Sequence, residues 1–347
     1  MNIERIIFTG GGSGGHVMPG INLIKKIKSK YHLEIRYIGS KNGIEKKLIN
    51  EIGIPYKEIS SGKLRRYLSV ENIIDIFKVI LGIIQSIFYL LTFDRKTIIF
   101  STGGFVSVPV IIAAFITFKK IYIHEQTSRV GLANKIGSIF ATKVFISFKK
   151  SIDYFPKHKT VLTGYPVREE LFLNEKSNLN FEKPNLFFTG GGNGSKLIND
   201  FVDRNISVLL EKFEIHHQVG SRFIEDYLSK ETSDYHVYDF VTNNMNDLLK
   251  NSSVIVSRAG AGMVCELLTI GKKSIYIPLK IAQKNEQYHN AMEAKRTLNS
   301  IVVTEDLLAK NDLNLLNEIL KFKEEKFDEL PLSKNGTHQI LLQLFSE

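Results

Sequence analysis

The residues with the clearest chemical pattern lie at positions 9–20, TGGGSGGHVMPG, close to the amino terminus. They follow a short apolar run at residues 5–8, which is typical of a buried strand, and they precede a helical pattern. Gly10, Gly12 and Gly15 match G-x-G-x-x-G in the strand–turn–helix setting that this pattern requires. Glycines let a backbone approach a ligand, and a helix start offers free N–H groups to a phosphate. The stretch therefore predicts a nucleotide or sugar-nucleotide site.

An NAD site needs one more residue, an Asp or Glu at the end of the second strand. The predicted second strand, residues 33–38, ends instead in Gly39 and Ser40, and Glu34 lies at its start. This disfavours an NAD-dependent oxidoreductase, which remains an alternative. A glycine-rich turn without any ligand is a second alternative.

Composition limits the class of protein. A chain of 347 residues suggests two domains, and a single cysteine, Cys265, excludes an intramolecular disulfide and fits a reducing compartment. The net charge of +10 could serve an anionic membrane surface, an acidic substrate or a nucleic acid. Because there is no basic run longer than two residues and no zinc-finger spacing, we expect no nucleic-acid partner.

Short apolar runs alternate with helical stretches in both halves of the chain, and FTGGG at residues 8–12 recurs at residues 188–192. This alternation predicts an α/β protein with two Rossmann-like, doubly wound domains facing a cleft. We expect the domains at residues 1–163 and 164–347, with the last helix packing back on the first domain. The predicted strands are residues 6–8, 33–38, 97–101, 120–124, 143–146, 185–189, 213–218, 254–257, 274–277 and 300–303.

Residues 73–93 form a long apolar segment of about the length of a membrane span. Asp75, Lys78 and Gln85 would be costly in hydrocarbon, so we expect a helix that is buried or lies on a surface. Three basic residues just upstream suit contact with an anionic membrane: Lys63, Arg65 and Arg66. A core helix is the alternative.

Other polar groups follow predicted strands. Residues 101–109, STGGFVSVP, form a further glycine turn that could approach a phosphate or simply pack closely. His124-Glu125-Gln126 is not a zinc signature, because residue 128 is Ser. In the second half, a turn at residues 258–262 opens a helix in which the Glu266 carboxylate could accept hydrogen bonds from ribose hydroxyls. The polar loop at residues 283–290 carries amide side chains that could form hydrogen bonds with a sugar or a base.

Taken together, GGGSGGHVMPG, STGGFVSVP, IHEQTSRVGLANK, TGYPVR, SRAGAGMVCE and NEQYHNA resemble the MurG family of bacterial cell-wall synthesis, in order and in spacing, from residue 6 to about residue 290. The resemblance implies a type B glycosyltransferase fold and inverting transfer of GlcNAc from UDP-GlcNAc to the muramyl 4-hydroxyl of lipid I. It implies a lipid acceptor on the first domain and the nucleotide donor on the second. It also implies a peripheral protein on the cytoplasmic face of the plasma membrane, beside an anionic surface, and leaves open contacts with other cell-wall synthesis proteins.

Two residues are candidates for the general base: His16, at the end of the first glycine loop, and Glu125. His16 could instead only order that loop by hydrogen bonding. The resemblance assigns the residues that bind the substrates. The implied substrate-binding residues are Ser13, Gly14, Gly15, Thr127, Asn134, Arg168, Gly192, Asn193, Ser195, Val241, Ala261, Gly262, Met263, Val264, Cys265, Glu266 and Gln287.

Three positions depart from the family pattern. Thr127 replaces an Asn that is common in the family. Gly192 stands where the family has a Ser, so the contact made by that Ser hydroxyl is lost unless Ser195 supplies it. Glu286 precedes Gln287 where Gln or His is commoner. Each departure puts the corresponding contact in doubt.

The reaction must stabilise the departing diphosphate and remove a proton from the attacking hydroxyl. The chain contains no Asp-x-Asp, so we expect no cofactor and no bound metal, with the donor-loop helix start and Arg168 carrying the diphosphate charge. A UDP-GlcNAc 2-epimerase of the same fold and a non-enzymatic membrane scaffold remain alternatives.

Overall fold

A computed structural model describes residues 3–62, 70–172, 183–241, 244–282, 285–325 and 335–345. The chain forms two compact units, one of residues 1–167 with residues 334–347, and one of residues 168–333. Several residues discussed above lie outside the described part: Lys63, Arg65, Arg66 and the first two residues of the loop at 283–290.

The first unit contains a parallel sheet of seven strands in the order β3-β2-β1-β4-β5-β6-β7. Its elements are β1 Arg5–Thr9, α1 Gly14–Lys30, β2 Glu34–Ser40, α2 Ile44–Glu51, β3 Tyr56–Ile59, α3 Val70–Leu91, β4 Thr97–Ser101, α4 Ser107–Ile116, β5 Lys120–Glu125, α5 Leu132–Phe140, β6 Lys143–Ile146 and β7 Thr160–Leu162.

The second unit contains a parallel sheet of six strands in the order β10-β9-β8-β11-β12-β13. Its elements are β8 Asn185–Thr189, α6 Lys196–Leu210, β9 Glu214–Gln218, α7 Ile224–Tyr227, β10 Tyr235–Tyr238, α8 Met245–Asn251, β11 Val254–Ser257, α9 Ala261–Thr269, β12 Ile275–Tyr276, α10 Glu286–Leu298, β13 Ile301–Val302, α11 Glu305–Lys310 and α12 Asp312–Leu320. The last helix, α13 Gly336–Phe345, belongs to the first unit.

The central strands are apolar because helices cover both faces of each sheet. In β1, Ile6 and Phe8 pack on the side of α1 and α13, whereas Ile7 packs on the side of α4. Ile340 and Leu344 of α13 complete the first of these two layers. The two parallel-sheet α/β domains predicted from the alternation of strands and helices are confirmed.

Helix α3 packs one narrow stripe on its unit and leaves the rest in solvent. Gly82 sits at the contact, where an added Cβ would lie 2.1 Å from the carbonyl oxygen of Ser60. Only 22% of residues 74–91 are buried, although by length and composition alone this segment could cross a membrane. A core helix would be mostly buried, so the exposure of α3 favours a helix that lies on the surface of its unit. The exposed apolar side chains include Phe77 at 68% and Phe88 at 70%.

Candidate functional site

Each sheet reverses its strand order once, and candidate residues follow the strands next to that reversal. In the first unit β1 lies between β2 and β4, with Thr9 opposite Ser101, and in the second unit β8 lies beside β11, with Thr189 opposite Ser257. Open parallel sheets bind ligands just beyond the carboxyl ends of the strands at such a point.

The first glycine turn is packed against the turn that follows β4. Gly104 has φ +85, and an added Cβ would lie 2.0 Å from the carbonyl oxygen of Gly11. The amide of Gly11 also donates to the carbonyl oxygen of Gly103 at 3.1 Å. Of the two roles considered for the glycines at residues 101–109, close packing accounts for Gly104.

The start of α1 is open. Ser13 precedes the helix in an extended conformation and its side chain makes no capping hydrogen bond. A Cβ added to Gly14 would meet nothing within 4 Å, and one added to Gly15 would meet only the Ser13 hydroxyl at 3.8 Å. No acidic residue lies in the first turn. Free amides in open space at a helix start suit an anionic group.

His16 lies in that first turn, and its ring is fixed from one side. Nδ1 lies 3.2 Å from the carbonyl oxygen of Thr102, which also accepts a hydrogen bond from Gln126 Nε2 at 2.6 Å. Because a carbonyl can only accept, Nδ1 must carry the proton, and Nε2 of the neutral ring then holds the lone pair. This is the tautomer that a general base acting through Nε2 requires.

Glu125, the other predicted base, is committed to the loop that follows β5. Its Oε1 accepts from the amide of Thr127 at 3.0 Å and lies 2.8 Å from the Thr127 hydroxyl. Its Oε2 accepts from the amide of Gly131 and from Asn134 Nδ2, at 3.2 and 3.1 Å. Thr127 and Asn134 thus point their polar groups at a buried carboxylate. This geometry favours a positioning role for Glu125 and makes His16 the better candidate base.

In the second unit, the glycine turn after β8 leads into α6. An added Cβ on Gly194 would lie 1.9 Å from the carbonyl oxygen of Val219, so the turn needs a glycine there. Gly192 and Asn193 are exposed and available to a ligand. Ser195 is buried and caps α6, accepting from the amide of Ile198 at 3.5 Å. The Ser195 hydroxyl is therefore used by the helix, which argues against its replacing the missing serine at Gly192.

The start of α9 offers a second set of amides. Ala261, Gly262 and Met263 form its first turn, and a Cβ added to the preceding Gly260 would meet nothing within 4 Å. Val264 and Cys265 are buried, at 0% and 3% exposure, so their side chains belong to the core rather than to a binding surface. The Val264 amide donates to the carbonyl oxygen of Gly260 at 3.0 Å. Burial raises the pKa of the Cys265 thiol well above its usual value.

Arg168 and Glu266, predicted separately as ligand-binding residues, contact each other. Arg168 Nε donates to Glu266 Oε1 at 2.7 Å, and Nη2 lies 3.4 Å from Oε2. Burial raises the pKa of the Glu266 carboxyl, and Arg168 opposes that rise. The guanidinium side chain remains 27% exposed, so it can still reach a ligand while it holds the carboxylate.

Gln287 and Val241 are anchored by their own hydrogen bonds. Gln287 Oε1 accepts from the amide of Leu279 at 3.0 Å, which fixes the side chain at the start of α10 and turns its NH2 group away from that amide. The Val241 amide donates to Gln218 Oε1 at 3.0 Å, and its side chain is buried. Only the backbone carbonyl of Val241 remains for a ligand.

A cavity of about 770 Å³ opens beside the first glycine turn. It runs from Gly12 to α3. Its charged lining residues carry both signs in equal number: Lys41, Lys78, Glu58 and Asp75. Asp75 and Gln85, which made a membrane span unfavourable, are among its lining residues.

Both halves of the chain match models of glycosyltransferase family 28, the N-terminal domain over residues 6–146 and the C-terminal domain over residues 185–340. A relative from Clostridium tetani, a UDP-N-acetylglucosamine–N-acetylmuramyl-(pentapeptide) pyrophosphoryl-undecaprenol N-acetylglucosamine transferase, is 40% identical over 97% of this chain and 96% of its own. The chain belongs to the MurG family. As a member, it is a glycosyltransferase.

Solved structures agree with the MurG fold. Acinetobacter baumannii MurG has a TM-score of 0.72 at 22% identity and covers 99% of both chains. The UDP-GlcNAc 2-epimerase from Neisseria meningitidis, bound to UDP-GlcNAc, has a TM-score of 0.65 at 13% identity, over 99% of this chain and 100% of its own. Because MurG and the epimerase share this fold, the fold alone does not distinguish a transferase from an epimerase. The sequence relatives are transferases and do not favour the epimerase.

One residue of this MurG-family site was missed from the sequence. Glu45, fully buried in the first turn of α2, accepts from the amide of Gly12 at 3.2 Å and from the amide of Ser40 at 3.1 Å. It ties the first glycine turn to the end of β2. Glu45 lies one short turn beyond the end of β2, whereas the NAD pattern places an acidic residue at the strand end itself.

Proposed function

We propose that this enzyme transfers N-acetylglucosamine from UDP-GlcNAc to the 4-hydroxyl of the muramyl sugar in undecaprenyl-pyrophosphoryl-MurNAc-pentapeptide. The identity of 40% to a transferase of that name, over nearly the full length of both chains, carries the proposal. The bond from the anomeric carbon to the diphosphate oxygen breaks, and a bond to the acceptor oxygen forms on the opposite face. UDP leaves, and the hydroxyl proton passes to a base.

For the donor, we assign the diphosphate to the first turn of α9 and to Arg168. The amides of residues 261–263 and the positive end of the helix dipole favour the charge that develops on the leaving UDP. Glu266 holds Arg168 in place and offers its remaining lone pairs to the ribose hydroxyls. Activity that persists in excess chelator supports this arrangement, and a complete loss of activity that added Mg²⁺ restores but added Zn²⁺ does not restore contradicts it.

For the acceptor, we assign proton removal to His16 Nε2, because Nδ1 is held by the carbonyl oxygen of Thr102. His16→Gln should lower kcat by about 100-fold or more, in the range of general-base effects. His32→Gln, an exposed histidine of the same unit, should leave kcat unchanged. Near-normal turnover by His16→Gln would show that the base lies elsewhere.

We further propose that the exposed face of α3 lies on an anionic membrane, at the cytoplasmic face of the plasma membrane. Support comes from its large exposed side chains, such as Phe77 and Phe88, and from the net charge of +10. The adjoining cavity at Gly12 and Lys78 would then receive the acceptor's head group from that side. The double variant Phe77→Ser/Phe88→Ser should lose sedimentation with anionic vesicles, while Leu313→Ser, at a residue that is 56% exposed in the second unit, should not.

The deciding experiment measures transfer of labelled GlcNAc from UDP-GlcNAc to a lipid I analogue. Glu266→Gln should lower kcat/KM by about 10- to 100-fold, as expected for a lost hydrogen bond to a charged group. Asp312→Asn is the matched control, since Asp312 forms a similar bidentate pair with Arg204 at another place in the same unit. Release of UDP and ManNAc without any acceptor would identify an epimerase instead.

A further inference from the structure

Three side chains of types that can ligate metals lie close together on the edge strand β10 and its neighbour β9 in the second sheet. β9 and β10 pair in parallel with His216 directly opposite His236, and Glu214 precedes His216 by two residues. Side chains two residues apart in a strand lie on the same face, as do direct cross-strand neighbours. The register of this strand pair therefore brings the three groups together.

Their ligand atoms have the spacing of a small coordination site. Glu214 Oε1 lies 3.1 Å from His216 Nε2 and 3.3 Å from His236 Nε2, and the three ligand atoms all lie within 4.8 Å of one another. Zinc bonds of about 2.0–2.1 Å in tetrahedral geometry place neighbouring ligand atoms about 3.3 Å apart. The two imidazole rings are stacked, with centroids 4.7 Å apart and planes at 29° to each other, so the exposed His236 ring has to turn before both Nε2 lone pairs can meet one ion.

The surroundings also suit a metal. Tyr238 lies with its hydroxyl 2.8 Å from His216 Nδ1, the nitrogen that does not face the cluster. A hydrogen-bond partner on the far nitrogen is the usual support of a histidine ligand. The His236 side chain is 34% exposed and leaves an entry path, whereas His216 is buried at 2%.

We propose that Glu214, His216 and His236 bind one Zn²⁺ ion, with water in the remaining position. Two imidazoles and a carboxylate are a donor set that zinc accepts. The ion would join the edge strand β10 to β9. These strands end at Tyr238 and Gln218, beside Val241 and the glycine turn at residues 190–194, so the ion would stabilise the support of the donor site. This proposal departs from the expectation, made from the sequence, that the protein binds no metal.

The test is a zinc titration of the metal-free, full-length protein against a chelating dye. We expect one equivalent of Zn²⁺ to bind. His236→Ala and Glu214→Gln should each weaken binding at least tenfold, and Tyr238→Phe should weaken it by about tenfold. His158→Ala, which changes an exposed histidine of the first unit, should bind as the wild type does.

Two further measurements distinguish a metal site from a hydrogen-bonded cluster. Co²⁺ should give visible absorption bands in the wild type that His236→Ala lacks, and Zn²⁺ should raise the melting temperature of the wild type but not of that variant. Circular dichroism of the metal-free variants checks that they fold. Substoichiometric binding by the wild type, or equal affinity in wild type, His236→Ala and Glu214→Gln, would overturn the proposal and leave a hydrogen-bonded His–Glu cluster.

Discussion

At the scale of single residues, the two candidate sites hold their carboxylates in opposite ways. Glu125 is surrounded by donors from its own loop, the amides of Thr127 and Gly131 and the side chain of Asn134. Glu266 faces a single partly exposed guanidinium, that of Arg168. A carboxylate with these three donors fixes a backbone, whereas a carboxylate with one charged partner can exchange or share that partner when a ligand arrives.

We expect Glu125→Gln to destabilise the first unit by about 1–3 kcal/mol, because an amide NH2 group would face donors that are buried. Urea-induced unfolding measures this change, with Glu51→Gln at the exposed end of α2 as the control. Unfolding of the variant like that of the wild type would contradict this structural role of Glu125.

His217 gives the second unit a pH-dependent stability. Burial lowers the pKa of His217 to about 3, from an ordinary value of 6.5, so the unfolded state binds more protons between these two values. Stability contributed by the neutral ring is complete above pH 6.5 and is lost as the pH falls towards 3, by up to about 1.4 kcal/mol per pH unit. His217→Gln should reduce the slope of unfolding free energy against pH between pH 6 and 5, and an unchanged slope would contradict this assignment. His158→Gln should keep the wild-type slope.

Glycine spacing predicted the glycine turns that precede α1 and α6, because glycine provides the backbone freedom that such a turn needs next to a helix start. The partners of those turns were not predictable in the same way. Glu45 reaches the Gly12 amide from another helix, and Arg168 reaches Glu266 across 98 residues of sequence. No local pattern encodes a pairing of that kind, since it depends on which loops the sheet order brings together.

At the scale of elements, the two glycine turns of the first unit form one packed layer. Gly104 and Gly11 approach each other with no room for a side chain, and the carbonyl oxygen of Thr102 then receives both His16 and Gln126. The turn after β4 therefore places the candidate base although none of its side chains reacts.

Gly104→Ala tests that coupling. The substitution adds a Cβ 2.0 Å from a carbonyl oxygen at φ +85, so we expect a loss of at least about 2 kcal/mol in stability and a fall in kcat. Gly131→Ala is the matched control, because Gly131 has φ −68 and an added Cβ meets nothing within 4 Å. Wild-type unfolding and turnover in Gly104→Ala would show that the turn can relax.

The strands that sequence analysis missed are β3, β7 and β10, and each is an edge strand. Central parallel strands are buried on both faces and read as continuous apolar runs. An edge strand such as Tyr56–Ile59, YKEI, has one fully buried residue and two charged ones, and so lacks that pattern. The central strands and the edge strand β13 could therefore be predicted from the sequence, whereas the other three edge strands are defined by pairing.

At the scale of the whole molecule, the chain passes between its two units twice. The structural boundary lies between Val167 and Arg168, and residues 334–347 belong again to the first unit. Helix α13 contributes Ile340, Leu341 and Leu344 to the same core layer as Ile6 and other residues of the opening strand. The stability of the first unit therefore depends on the end of the chain.

Leu341→Ala should destabilise the first unit by about 2–5 kcal/mol, the usual effect of removing a buried leucine side chain. Leu342→Ala, at a neighbouring residue that is 43% exposed, should have little effect. Hydrogen exchange resolves the two units: protection should fall in β1 and β4 and stay unchanged in β8 and β11. Equal loss of protection in both units would mean that they unfold as one.

The return of α13 to the opening strand also sets an order of events on the ribosome. Residues 168–333 are continuous, so this middle portion can fold while the nascent chain is still being made. The portion synthesised first completes its core only after α13 has left the exit tunnel, because Leu344 is part of that core. The unit that is translated first is therefore completed after the unit that follows it, and until α13 arrives its apolar layer is open to chaperones and to aggregation.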